Sequence, residues 1–195
     1  GPMQVVSGPM GRETVHFQAP DSARLPAEMQ AFFDWVNHDD GLDPVIKAGI
    51  AHFWFLTIHP FEDGNGRMAR AIADGLLARA DGSNQRFYSM STQIRADRIG
   101  YYEILEWSQK GSLNVTEWLL WFLSCLADAL KEADETLKRI VHKHQFLSKQ
   151  SSSNLNERQK YMLTRLMDGF VGKLNTSKWA KMAKCSQDTA LRDIQ

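Results

Sequence analysis

His59-Pro60-Phe61-Glu62-Asp63-Gly64-Asn65-Gly66-Arg67-Met68-Ala69-Arg70 is the stretch on which the fold turns. Pro60 must end or kink the apolar helix before it, because proline has no amide hydrogen and restricts its predecessor, His59. Gly64-Asn65-Gly66 then precedes a second helix, predicted over about Arg67–Ala80. Met68, Ile72 and Leu76 form one apolar stripe there, with Ala69, Ala73 and Leu77 beside it. A helix opened by glycines leaves unpaired amides at the positive end of its dipole and lets a ligand approach the backbone. The turn is either an anion site, with phosphate the usual anion, or simply a tight link between helices.

The flanking residues weigh toward the anion. Arg67 and Arg70 are three apart on one helix face, near a terminus that disfavours cations. A polyphosphate would offset that cost and accept bidentate contacts from both guanidinium groups; the alternative is a surface Arg70–Asp74 pair. Asp63 beside such a cradle points to a hard cation such as Mg2+ bridging to phosphate oxygens, or else to a helix-capping acid. Glu62 is expected to face solvent. His59, at the mouth of the loop, can take a proton from a hydroxyl near pH 7. Base, metal ligand, anion cradle and two arginines within twelve residues indicate phosphoryl or nucleotidyl transfer. No GxxxxGK[ST] or HExxH segment occurs, which excludes the P-loop and that metalloprotease class.

Outward from the loop the pattern is mainly α. Upstream, Pro44 opens a helix through Ile46, Ile50, Phe53, Phe55 and Ile58 that is apolar nearly all round and therefore central. Pro26–Asn37 carries Met29, Phe32, Phe33 and Val36 at helical spacing. Before it, Gln4-Val5-Val6 and Thr14-Val15-His16-Phe17 flank a turn-rich Ser7–Gly11 and predict a hairpin that must lie on something. Downstream, Asp81-Gly82-Ser83-Asn84 breaks the helix that begins at Arg67, Arg98–Gln109 forms a further helix, and a long helix follows over about Val115–Leu147. Asn114 caps that helix, with Glu117 three positions on.

The twelve-residue stretch resembles the Fic family signature HPFx[DE]GNGRxxR at every defined position, and a wider resemblance covers about Val5–Leu137. It implies a compact helical bundle with a β-hairpin flap, and protein AMPylation: AMP passes from ATP to a Ser, Thr or Tyr hydroxyl and pyrophosphate leaves. By position, His59 would be the base and Asp63 would hold Mg2+. Gly64, Asn65 and Gly66 would form the anion hole. Arg67 would contact the phosphates, Arg70 the terminal one, and Phe61 would anchor the loop. Tyr101, Tyr102 and Gln109 are similar to the family's adenine-side elements, although many relatives carry Asn where Gln109 stands; one of the two tyrosines is expected in the core. Val15 and His16 of the flap would line the nucleotide site, and the flap would dock a target protein by β-augmentation.

The inhibitory motif [ST]xxxE[GN] of many relatives is not found; the nearest string, Thr164–Gly169, has Asp168 in place of Glu. The pattern resembles bacterial relatives with the inhibitory helix upstream of the flap. Gly1-Pro2-Met3 has the look of a tag remnant, so a natural chain beginning further upstream, and a Fic loop freed from restraint, are expected.

The organisation expected is a core over 4–147, a linker over 148–156, rich in serine, and a helix-turn-helix or partial winged-helix unit over 157–195. That last unit has helices at Glu157–Met167 and Thr176–Ala183 and a final one capped by Ser186. Its stretch from Asn156 carries eight Lys/Arg against four Asp/Glu. DNA is one possible partner and a docked protein the other; Lys178, Lys181 and Lys184 are also readable as a solvated face. The chain as a whole has 23 basic and 23 acidic residues, so overall charge argues for neither nucleic acid nor membrane. The longest apolar runs, Ala48–Ile58 and Trp118–Ala129, are too short for a bilayer. Cys125 and Cys185 form no framework and read as buried thiols in a reducing, cytoplasmic setting. Two functions stay open: a protein adenylyltransferase, with a second copy of the chain, in a homodimer, among its candidate partners, or a DNA-binding regulator with the core as nucleotide sensor. Within the enzyme class, UTP or CDP-choline as donor and removal of AMP are also open.

Overall fold

A computed structural model describes residues 3–9, 11–39, 41–82, 86–150 and 155–195 of the chain, with the side chain of Gln150 left out. It divides into two compact units, 1–133 and 134–195. Gly1-Pro2, Ser83-Asn84 of the expected break and Ser151–Asn154 of the expected linker lie outside the described residues.

The first unit begins with a hairpin, β1 (Gln4–Ser7) and β2 (Thr14–Gln18), paired antiparallel. Helices α1 (Leu25–Asn37), α2 (Pro44–Ile58), α3 (Asn65–Ala80), α4 (Met90–Ala96) and α5 (Arg98–Lys110) follow, with the first part of α6 (Thr116–Gln150). Helix α2 is central, as its all-round apolar surface requires. Asp43 caps it, accepting from the amides of Val45 and Ile46, and Pro44 takes the first position, where no amide is needed. Phe55 of α2 packs on Phe32 of α1. The indole of Trp118 on α6 donates to the Gly49 carbonyl at 2.8 Å. A Cβ on Gly49 would stand 2.9 Å from Leu119 and 3.0 Å from Phe122, so glycine permits this close helix approach. Ala48 and Ala51 of α2 and Ala69 and Ala73 of α3 are buried in the same core.

Two boundaries and one helix differ from the sequence expectation. Helix α3 starts at Asn65, two residues early, because Gly64 in the left-handed region serves as its N-cap. Helix α6 runs through Ser148 to Gln150, into the stretch expected as linker. Helix α4 was not anticipated. Ser89 caps it by accepting from the Thr92 amide, and Met90 and Ile94, one turn apart, are buried in the core. Asn114 does serve the start of α6, accepting from the Thr116 amide at 3.0 Å.

His52 is fully enclosed on α2. Its ring lies against Trp118 and Phe122, and its Nε2 meets the Tyr101 hydroxyl at 3.2 Å. Desolvation, with help from the Arg70 charge, pushes its pKa down to about 3. The unfolded chain therefore binds a proton at this residue between that value and 6.5, while the folded chain does not. The stabilisation is complete above 6.5 and is lost as pH falls toward 3. Lowering the pH from 7 to 5 should cost about 2 kcal/mol from this group. Urea titrations at both pH values should show that loss in the wild type and its near absence in His52→Gln.

The second unit holds the rest of α6 and helices α7 (Glu157–Met167), α8 (Thr176–Ala183) and α9 (Gln187–Ile194). Met162, Trp179, Ala180 and Ala190 form its core. Asp193 ties the last helix to α7, taking Arg158 Nε at 2.8 Å and Asn156 Nδ2 at 2.7 Å; with those partners its carboxyl is held at about 2. Lys184, in the left-handed region at φ 51°, turns the chain between α8 and α9. That is a helix-turn-helix arrangement, and among the described residues the only strands are β1 and β2, both of the first unit. Cys125 is buried but Cys185 only partly so. No helix among the described residues is long and apolar enough to cross a membrane.

Candidate active site

The carboxyl end of α2, the loop after it and the start of α3 meet the hairpin and α5 around a cavity of about 680 Å3. His59 ends α2 with φ 51° and ψ 57°, its amide still bonded to the Phe55 carbonyl at 3.1 Å. A histidine in the left-handed region is uncommon and carries local strain. Here the turn swings the chain away from the helix axis just before Pro60. The half-buried imidazole has its pKa lowered by desolvation, partly opposed by a hydrogen bond to the Leu56 backbone. It is therefore neutral at pH 7 and able to accept a proton.

Asn65 holds the loop closed. Its Nδ2 donates to the Phe61 carbonyl at 2.6 Å and its Oδ1 accepts from the Phe61 amide at 3.0 Å, and the residue is 4% exposed. One side chain thus satisfies both backbone groups of Phe61, whose own ring packs on Phe55. Asn65→Ala removes both bonds and strands buried polar groups, so a loss of about 2–3 kcal/mol is expected in urea unfolding. No side chain caps α3, and Gly64, Asn65 and Gly66 all line the cavity at its amino end. The positive end of the helix is open to that space.

Arg70 also lines the cavity, and among the described residues no hydrogen bond or ion pair engages its guanidinium. The alternative Arg70–Asp74 pair does not form: Asp74 is taken by Arg86, at 2.6 Å. An unpaired, partly buried guanidinium beside an open helix terminus is an arrangement that favours a phosphate. Asp63 lines the cavity, with Oδ1 accepting from the Gly64 amide at 2.7 Å and Oδ2 from Arg67 at 3.0 Å. It does not cap the helix, since the amide it holds belongs to the N-cap residue itself.

Three expectations change. Arg67 is not in the cavity wall; its guanidinium is drawn out to Asp63 along the helix surface. Val15 is exposed and outside the wall, while Val5, Val6, Ser7 and Phe17 of the hairpin are in it. Glu62 is exposed, as expected, yet sits on the cavity rim rather than facing solvent alone. Tyr101 is the buried tyrosine of the pair, its hydroxyl hydrogen-bonded with His52 Nε2, while Tyr102 is the exposed one; both reach the cavity. Gln109 lines the cavity and donates to Thr57 at 3.3 Å. Sequence reasoning missed Arg98, Glu103 and Glu106 of α5, which join Tyr102 and Gln109 in the wall. Arg98, Tyr102, Glu106 and Gln109 follow the 3.6-residue period that marks a common face, and Glu103 flanks it.

Residues 4–77 match the Fic/DOC family. Two proteins named protein adenylyltransferase Fic, from Drosophila willistoni and Nematostella vectensis, are each 35% identical over 97 residues; that is 49% of this chain but 18% and 21% of theirs. The chain therefore spans about a fifth of the length of these curated relatives. The crystal structure of a Fic family protein from Desulfovibrio desulfuricans G20 is 26% identical, with a TM-score of 0.59, covering 94% of this chain and 50% of that one.

Proposed function

We propose that this Fic domain protein is a nucleotidyltransferase that moves AMP from ATP to a Ser, Thr or Tyr hydroxyl of a protein, itself included. The observation that carries the proposal is the meeting around one cavity of His59, Asp63, the open end of α3 and Arg70, whose guanidinium is unpaired among the described residues. Likeness to proteins named as adenylyltransferases supports it.

In the proposed reaction the neutral His59 takes the proton of the attacking hydroxyl. The oxygen bonds to the α-phosphorus, the bond to the β-phosphate bridge oxygen breaks, and pyrophosphate leaves. Negative charge gathers on phosphate oxygens, where the α3 amides and Arg70 would stabilise it. Asp63 fits a Mg2+ ion: it is a hard carboxylate on an accessible cavity wall, with lone pairs beyond those given to Gly64 and Arg67. Bound there, the metal would supply charge neutralisation on the phosphates. Arg67, released from Asp63, would then be free to reach the same phosphates. Tyr102 and the apolar wall would hold the base, and the flap would present the acceptor.

Mixing the protein with ATP, Mg2+ and lysate proteins should release pyrophosphate in step with AMP attached to protein. Pyrophosphate without protein-bound AMP would replace transfer with simple hydrolysis. With UTP or CDP-choline in place of ATP, faster transfer would reassign the donor.

The second unit supports a separate proposal, binding of double-stranded DNA. Its α8–turn–α9 arrangement exposes Lys178, Lys181, Lys184 and Arg192. A gel shift that weakens steeply with salt is expected; absent or salt-insensitive binding would leave protein docking as the role of this unit.

A further inference from the structure

His16 occupies a special place in the hairpin. Val5 pairs with Phe17 and Val6 with Val15, so His16 is the extra residue of a bulge opposite the Val5–Val6 step. A bulge leaves one residue outside the ladder and re-aims its side chain, often beside an active site. Here it turns His16 toward α5. His16 Nδ1 meets Glu106 Oε2 at 2.6 Å, and His16 Nε2 meets Ser7 Oγ at 2.6 Å. The other oxygen of Glu106 is held by Lys110, one helical turn on. Four side chains thus run in series from α5 through β2 to β1: Lys110, Glu106, His16 and Ser7.

Among the described residues, His16–Glu106 is the only side-chain hydrogen bond from the hairpin to the helices. The hairpin buries little: Val6 and Val15 are exposed, and only Val5, His16 and Phe17 of its strand residues are partly covered. Two short strands are marginal in water, so this tie weighs heavily in where the flap sits. Both ring nitrogens of His16 are committed, which leaves none for a nucleotide.

We propose that Glu106 is a positioning residue that, through His16, latches the flap over the nucleotide cavity and so sets how tightly donor is held. With the latch closed, Val5, Val6, Ser7 and Phe17 form part of the cavity wall. The effect on transfer rests on the nucleotidyltransferase proposal; the latch itself does not.

Hydrogen exchange of residues 4–18 tests the latch in the full chain, without any reaction. Glu106→Ala should raise flap exchange about tenfold, the loss of one charge-assisted hydrogen bond, while α3 and α6 stay as protected as before. His16→Ala should do the same, and the double variant should add nothing. Glu106→Gln keeps an acceptor for the ring and should restore most of the protection. Unchanged flap exchange in Glu106→Ala, or two effects that simply add, would overturn the latch. In self-modification kinetics, Glu106→Ala should raise KM for ATP by more than it lowers kcat, with Glu106→Gln intermediate. A loss in kcat at unchanged KM would overturn the positioning role. If the wild type transfers nothing, the transfer proposal fails and the exchange result still decides the latch.

Discussion

Replacing His59 by Ala or Asn should lower AMP transfer by about 10²- to 10⁴-fold, the range of a positioned general base, with ATP affinity nearly unchanged. The imidazole is half-buried at the cavity edge and does not hold the loop, which Asn65 clamps instead. The Asn variant matters because residue 59 sits in the left-handed region, which Asn tolerates better than Ala. Loss of transfer in both variants, with unchanged urea midpoints, separates chemistry from backbone strain. The pH profile adds a second mark. Only the neutral ring accepts a proton, and desolvation lowers its pKa below 6.5. The acid limb of kcat/KM should therefore lie below 6.5. A limb above 6.5 would contradict the environment described for His59.

Arg70→Ala should weaken ATP binding by about 10- to 100-fold, the worth of one or two hydrogen bonds to a charged group. Its guanidinium lines the cavity without a protein partner among the described residues, and Asp74, one turn on, belongs to Arg86. Removing it breaks no ion pair, so the urea midpoint should hold or rise. The positive charge of Arg70 already disfavours protonation of His52, so its removal should also ease the acid sensitivity of the core. Arg70→Lys keeps the charge and loses the fork, and should bind with intermediate strength. Calorimetric titration with Mg-ATP resolves the three proteins. Equal affinities would move the phosphates away from the end of α3.

Much of this was legible in the chain because it is local. Pro60, the glycine pair and the apolar stripe of α3 act over neighbouring residues, so loop and flanking helices could be placed from spacing alone. Spacing puts Arg67 and Arg70 on one face and the resemblance puts both on phosphates, but neither says which of them lines the cavity. Which one meets the cavity depends on Asp63 lying one turn back to capture Arg67, and on Arg86, sixteen residues on, removing Asp74 from Arg70. Helix α4 is hard to read because its seven residues make about two turns and carry one buried apolar pair, Met90 and Ile94. Val15 and His16 were expected on the same wall, yet the bulge in β2 sends only His16 there. Glu106 is ninety residues from His16, and no local pattern announces a pair so distant. The extension of α6 past Leu147 shows the opposite limit: Ser148 is a poor helix former, but a long helix carries its last turn through such residues.

The central claim is transfer of AMP to protein. Its most direct measurement uses two preparations of ATP, one labelled at the α-phosphorus and one at the γ-phosphorus, with acceptor proteins separated from nucleotide afterwards. The α label should stay on protein, acid-stable and dependent on His59, while the γ label leaves entirely as pyrophosphate. Retention of the γ label, or no α label on protein while Mg-ATP binds the cavity, would contradict the account.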